Sequence, residues 1–405
     1  VANSLLTINM ITREAIRLWK NSNEFIRHID SQYDDSFAKT GAKIGTALRI
    51  RLPNDFTVRT GPAASVQDTS EQSTTLTLAT QQGVDVSYSS VDRTMSLDDF
   101  SKRVLAPMVN NLAGAVASNV MAGSEGGVSN FTANLDSGGN VLSPTAATWL
   151  QAGAILDQIS APRMNRKIIM DPVTQARTVS SLAGLFNPSA KISSQYASGQ
   201  MQQALGFDWF MDQTVIKHTT AAYSGTKQVS GSNQTGLSIV TGAITGGLKI
   251  GDIITFDGVN SVNRITKASN GQLAQFVVTA TVASGGTAIP IYPALIPAAA
   301  SGAQVQYQTV DVSPASGANV NVVTLASSVF RKNIAFVPEA VTLATADLEL
   351  PKGVHEAARE VFDDVSMRMI SAYNIMTDQF ITRLDVLYGY LWVRPEWAVE
   401  VADAI

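Results

Sequence analysis

The spacing of apolar residues changes period several times along this chain. Near the start, Ile8, Ile11, Ala15, Leu18 and Trp19 recur at three- and four-residue steps, and Phe25, Ile26 and Ile29 continue the pattern. That period predicts an arm over 4–30 of one or two amphipathic helices, laid either on the chain's own core or on a neighbour. From 44 to 91 the period falls to two. Leu48, Ile50 and Leu52 alternate with Arg49 and Arg51, Phe56 and Val58 follow, and after a polar stretch the alternation returns at Leu76, Leu78, Val84, Val86 and Tyr88. This predicts a long two-stranded arm with a polar tip. Such a hairpin is marginal alone, so it must rest on its own body or on another subunit.

Helical spacing returns at Ser96, a good N-cap, with Asp98 and Asp99 at the positive end of the helix dipole. Leu97, Phe100, Val104, Met108, Leu112, Val116 and Val120 carry the helix to about Ala122, with a bend expected at Pro107. After a loop rich in Gly, Ser and Asn, the pattern predicts a helix at 145–159 and a buried strand at 166–170. A helix opening at Pro172, a helical segment at 187–196 and a strand at 206–211 are expected next.

At 219–329 the chain changes character. The stretch has no Trp and no Glu, and its only charged residues are Lys227, Lys249, Asp252, Asp257, Arg264, Lys267 and Asp311. Strand-like runs at 237–240, 253–256, 275–279, 305–310 and 320–323 are separated by Gly, Asn, Ser or Pro clusters, which predicts an all-β unit. Strands are expected afterwards at 333–337, 341–343, 362–372 and 381–393. A β module therefore interrupts a mixed α/β domain that resumes at about Phe330.

The length of 405 residues suits two or three domains. Charged residues make up 15%, against roughly 25% in an average soluble protein. Either other chains cover the surface, or it is a Ser/Thr-rich β surface. A formal net charge of -4 argues against dedicated nucleic-acid binding. The absence of cysteine excludes disulfides and thiolate metal sites. No signal-peptide pattern and no long apolar run is seen, so no membrane partner is expected.

Catalytic patterns are missing. His28, His218 and His355 form no metal-type pair at helix spacing and are expected to fill core or surface. No phosphate-binding loop, nucleophile elbow or dinucleotide fingerprint follows a strand. Ser36 and Lys39 match S-x-x-K, and 39–41 match K-T-G, but one lysine cannot fill both roles. The doublets Asp34 and Asp35, Asp98 and Asp99, and Asp363 and Asp364 read as caps and turns. The expectation is a protein that is not an enzyme and uses no cofactor and no metal.

Three stretches resemble a known family. Residues 248–259 contain Lys249, Gly251 and Asp252 in a turn that opens a strand; 383–389 end in Tyr388 and Gly389 and lead to Arg394, Pro395 and Glu396; 112–122 end a long helix. Together with the order of parts, they resemble the major capsid (coat) proteins of tailed bacteriophages. These have the HK-97-type fold, and the likeness is greatest to P-22-like coat proteins with an inserted β-barrel domain. The resemblance implies an α+β fold with an N-terminal helical arm (1–43) and an extended β loop (44–93). A peripheral domain with the spine helix (94–145 and 351–379) would follow. An axial α/β domain (146–218, 330–350 and 380–405) would carry the inserted barrel-like β domain (219–329).

It also implies a structural subunit that self-assembles into pentamers and hexamers of an icosahedral head, with a scaffolding protein and a portal as partners. The head would enclose double-stranded DNA, contacted only nonspecifically. The protein would be assembled in the bacterial host cytoplasm and located in the virion. Arg49, Arg51 and Arg59 on the extended loop become candidates for pairing with acidic groups across subunits. The competing readings are a phage tail or decoration protein with an inserted β module, and a carbohydrate- or cell-surface-binding protein.

Overall fold

The computed structural model describes residues 12, 14–19, 23–33, 47–56, 58, 61–64, 66, 72–89, 106–182, 203–298, 306–362 and 365–405. The helix start expected at Ser96 and the helical segment expected at 187–196 lie outside them. The chain divides into two compact units: Val1–Ile50, Thr74–Val120 and Val341–Val393 form one, and Arg51–Ser73, Met121–Ala340 and Arg394–Ile405 the other.

The first unit is organised by one long strand, Gln379–Trp392. Residues Gln379 to Tyr388 pair antiparallel with Thr80–Ser89, and Leu387 to Trp392 pair with Val341–Ala346. The hairpin Glu356–Phe362 and Val365–Asn374 extends the sheet, and Asp30–Tyr33 joins it in parallel against Val341–Ala346. Leu384, Val386 and Tyr388 are buried on one face of this strand, and Asp385 is buried on the other. In the N-terminal arm, 14–19 and Glu24–His28 are helical. Asn23 caps the second helix by accepting from the Ile26 amide at 3.0 Å. Ala15, Ile16, Trp19, Phe25 and Ile26 are fully buried, so this part of the arm lies on its own core.

The helix Ala106–Ala122 buries Val109, Leu112, Ala113, Val116, Ala117 and Val120. The stretch before Ala106, on which the bend expected at Pro107 depends, lies outside the described residues. Asn119 Nδ2 donates to the Tyr388 hydroxyl at 2.6 Å, and Trp392 Nε1 donates to the Val120 carbonyl at 3.2 Å.

Three expectations need correction. The arm at 44–91 is not one hairpin: Ala47–Arg51 pairs with Ser73–Thr77, while Thr80–Ser89 joins the long strand. Alternation reveals a strand's faces and says nothing about its partner. The strand expected at 362–372 runs instead over Val365–Asn374, and Phe362 ends the strand Glu356–Phe362 that pairs with it. Residues expected at 341–350 and 380–393 to belong with 146–218 pair instead within the first unit. Pro395, opening a short 3-10 turn, separates the long strand from the final strand Ala398–Ala404.

The second unit is built on a seven-stranded sheet in the order Phe131–Thr132, Ala398–Ala404, Val329–Phe336, Lys167–Met170, Phe207–Met211 and Gln203–Ala204, with Lys217–Thr219 also on Val329–Phe336. The helix Ala146–Gln158 starts with a capping box between Thr145 and Thr148. Its Trp149, Ala152 and Leu156 pack on Ile168, Met170, Phe207, Trp209, Val399 and Val401. Trp149 and Trp209 meet edge to face at 4.9 Å.

The inserted module has a five-stranded sheet in the order Gly236–Val240, Ala288–Leu295, Phe276–Val278, Ile253–Phe256 and Val320–Val322. Val229 bridges to Thr241 and Gln228 to Asn319, at opposite ends of that order, so the sheet is drawn into a barrel-like form. Ile239, Ile254, Phe256, Phe276, Val278, Ile289, Ile291 and Leu295 fill it. A separate hairpin joins Asn260–Val262 to Ser269–Leu273. The strand expected at 305–310 is absent: 306–307 form a 3-10 turn and Val310 makes only an isolated bridge to Ser261. The strand Ala288–Leu295 escaped the pattern because Pro290 and Pro293 interrupt it.

Gly389 offers a direct test of the first unit. A Cβ there would lie 2.2 Å from the Thr77 carbonyl oxygen, a backbone atom with little room to retreat. Gly389→Ala is expected to cost about 1–3 kcal/mol, the range for overpacking, or more if pairing breaks. Urea denaturation of the purified chain measures it.

Candidate functional site

The module is joined to its host by two neighbouring strands. Thr219 and Val329 are register partners in the antiparallel pair of Lys217–Thr219 with Val329–Phe336, so the chain leaves and returns at adjacent points of one sheet. At this root sits the largest cluster of buried ionisable side chains among the described residues. His218 is 4% exposed. Its Nδ1 lies 3.2 Å from Glu125 Oε1 and its Nε2 2.9 Å from Asp252 Oδ1. The ring also packs 5.4 Å from that of Phe330.

Asp252 belongs to the module and is itself sealed from water. Its other carboxylate oxygen accepts from the Lys249 amide at 2.8 Å and the Ala221 amide at 3.4 Å. Gly251 makes that turn possible. Its φ is +88°, and a Cβ there would lie 3.1 Å from the Glu125 carbonyl oxygen and 3.2 Å from His218 Cε1. Lys332, on a central host strand, places Nζ 2.7 Å from Glu400 Oε2 and donates to the Gly251 carbonyl at 3.1 Å. Glu400 Oε1 accepts from Ser124 Oγ at 3.1 Å.

Three carboxyl groups thus face two bases, all buried except Glu125, which is 26% exposed. Burial pulls the His218 pKa down, but the hydrogen bonds to Asp252 and Glu125 outweigh it and leave the ring more basic than usual. Burial pushes Glu125 up, but His218 and then Lys332 hold its carboxyl below the ordinary value. Glu400 moves the other way: burial raises it, against the opposing pull of Lys332. No group of side chains able to hold a metal ion occurs among the described residues. The cluster can hold charge and hydrogen bonds in a fixed geometry, which is the work of a lock.

The residues singled out from sequence lie elsewhere. Arg49 and Arg51 are both exposed on Ala47–Arg51. Ile50 between them packs against the cluster of Leu76, Leu78, Ala344 and Ala346. Period two puts the two arginines on the opposite face. Arg59 lies outside the described residues. His28 contacts the Glu24 carbonyl at 2.8 Å, and the His355 ring lies tilted beside that of Phe380 at 5.4 Å. For His218, the expectation of simple filling is corrected: it bridges carboxylates 93 and 34 residues away in sequence. The usable signal was Asp252, one of few charges in a stretch nearly devoid of them.

A sequence profile of the family described as "P22 coat protein - gene protein 5" matches residues 43–401. No curated protein matches the chain. Among solved structures, the capsid of cyanophage P-SCSP1u aligns with 94% of this chain and 88% of its own at 11% identity and a TM-score of 0.47. Mycobacterium phage Che8 aligns with 94% of this chain and 90% of its own at 11% identity and a TM-score of 0.42. The CUS-3 coat protein I-domain aligns over 24% of this chain and 96% of its own at 29% identity, with a TM-score of 0.20.

Two outcomes follow from the root cluster. Lys332→Met leaves Glu400 buried without its cation and is expected to cost about 3–5 kcal/mol, whereas the double change with Glu400→Leu recovers most of it; urea titration of both variants checks this. The second concerns pH. The folded pKa of His218 is raised, so its contribution is complete below about pH 6.5, its unfolded value, and fades as pH rises through the folded one. The thermal midpoint of the wild-type chain should fall across that interval, and His218→Gln should flatten the fall.

Proposed function

The chain belongs to the P22 coat protein family, and from that premise we propose that it is the structural subunit of a tailed phage head. Its fold is the HK-97 type with an inserted β domain. Many copies assemble into an icosahedral procapsid and then a mature shell around double-stranded DNA. One observation carries the proposal: a single family profile runs from 43 to 401, through host and insert alike. Nothing observed favours a tail or decoration protein. In this reading the sheet of the second unit, with its helices, meets its copies at the centres of pentamers and hexamers. A scaffolding protein and a portal assist. DNA is touched without sequence preference, and assembly takes place in the host cytoplasm before the protein resides in the virion.

A shell built this way needs no catalytic centre and no cofactor. Its stability is a sum of modest contacts repeated by symmetry. Arg49, Arg51 and Arg59 are proposed to make some of them, with acidic groups of neighbouring subunits. An exposed pair contributes only about 0–1 kcal/mol, but each recurs in every copy.

The purified chain, with and without its scaffolding partner, is expected to form closed shells by sedimentation and negative-stain microscopy. A chain that stays monomeric under every condition would sink the proposal. Arg49→Glu with Arg51→Glu is expected to leave the thermal midpoint nearly unchanged and to lower shell yield several-fold, read by light scattering.

A further inference from the structure

The module also holds a segment that does not belong to it. Arg264, in the turn of the hairpin Asn260–Val262 and Ser269–Leu273, forks onto Asp55: Nε lies 2.9 Å from Oδ2 and Nη2 3.2 Å from Oδ1. Its Nη1 lies 3.5 Å from Glu396 Oε1, in the Arg394, Pro395 and Glu396 motif. Beside it, the Tyr307 hydroxyl donates to Asn54 Oδ1 at 3.3 Å. Asn54 and Asp55 lie three and four residues beyond the strand Ala47–Arg51, on the way to the tip of the extended loop. The same stretch then exposes Phe56 and Val58, the latter 93% exposed.

The hairpin bearing Arg264 is stiffened to carry that load. Asn263 accepts from the Ile265 and Thr266 amides at 2.9 and 3.0 Å, its carbonyl takes the Lys267 amide at 2.8 Å, and Lys267 Nζ donates to the Gln306 carbonyl at 2.7 Å. A guanidinium fork fixes direction as well as distance, which a point charge does not. Arg264 is one of seven charged residues between 219 and 329, and its paired acids lie outside the module.

We propose that Arg264 is a positioning residue for assembly: through Asp55 and Glu396 it sets the direction taken by the outer part of the extended loop, beyond the strand Ala47–Arg51. The inserted module thereby governs how each loop meets the neighbouring copy, and so the curvature of the shell. This rests on the reading that the chain builds a shell.

Hydrogen exchange in the unassembled subunit reads the clamp without any assembly. Arg264→Ala is expected to speed exchange at 52–58 at least tenfold while leaving the strands of the module protected. Asp55→Asn, outside the module, should do the same and replaces Arg264→Ala if that variant does not fold. In assembly, both variants should give shells of mixed diameter by negative stain, and Arg264→Lys an intermediate spread. The natural chain has no cysteine. Asp55→Cys with Arg264→Cys, joined by a short bifunctional thiol reagent, should therefore restore a single diameter. Unchanged exchange at 52–58 overturns the clamp. Wild-type diameters from folded Arg264→Ala and Asp55→Asn overturn its role in curvature. A wild-type chain that forms no shell overturns the proposed function and the assembly role with it.

Discussion

Sealing an ion pair from water costs several kcal/mol per ion, and that cost is offset only where every remaining donor and acceptor finds a partner. Lys332 and Glu400, each 1% exposed, are held under that constraint. The partners that satisfy them come from separate stretches of chain. Ser124 follows the long helix, Gly251 lies in the inserted module, and Glu400 is on the final strand. None of these stretches can shift without stranding a buried charge. His218 extends the same demand to Glu125 and Asp252. Module and host are therefore joined by a polar cluster that tolerates one arrangement. A greasy contact, which repacks more freely, would not impose that.

Much of this architecture was legible in the sequence because it is periodic. The buried strand Lys167–Met170, the helix opening at Pro172 and the strand Phe207–Met211 follow directly from runs of apolar residues and a proline. The jump to Gly, Ser, Thr and Val marked a β module. Pairing partners were not legible. Thr80–Ser89 alternates as a hairpin strand would, yet its partner lies some 300 residues away in Gln379–Trp392. Nor was the root cluster, since its members are scattered and no spacing rule links His218 to Glu125. Even the Tyr388 and Gly389 pair, recognised as a motif, acquired its reason only with Asn119 and the Thr77 carbonyl beside it.

The low charge content takes on meaning once charges are located. Arg166, Arg331, Lys332, Asp252, Asp385, Glu400 and Asp403 are all buried. Asp385, for example, is flanked by Arg368 at 2.7 Å and Arg383 at 2.8 Å. A protein already sparing with charge commits part of it to fixing internal geometry, which leaves less for its outer surface. For a subunit whose faces are to be covered by copies of itself, that distribution limits the desolvation required at each contact.

The pairing of Thr219 with Val329 has a consequence in chain statistics. Holding together the ends of a disordered loop of about 110 residues costs roughly 4 kcal/mol in closure entropy. A module that folds with its ends already at strand spacing removes that cost, and the host then folds as if those residues were absent. Contacts between 217–219 and 329–336, remote along the chain, become effectively local, which lowers the contact order of the surrounding sheet. An insertion that seems to interrupt a domain can in this way shorten the search by which that domain forms.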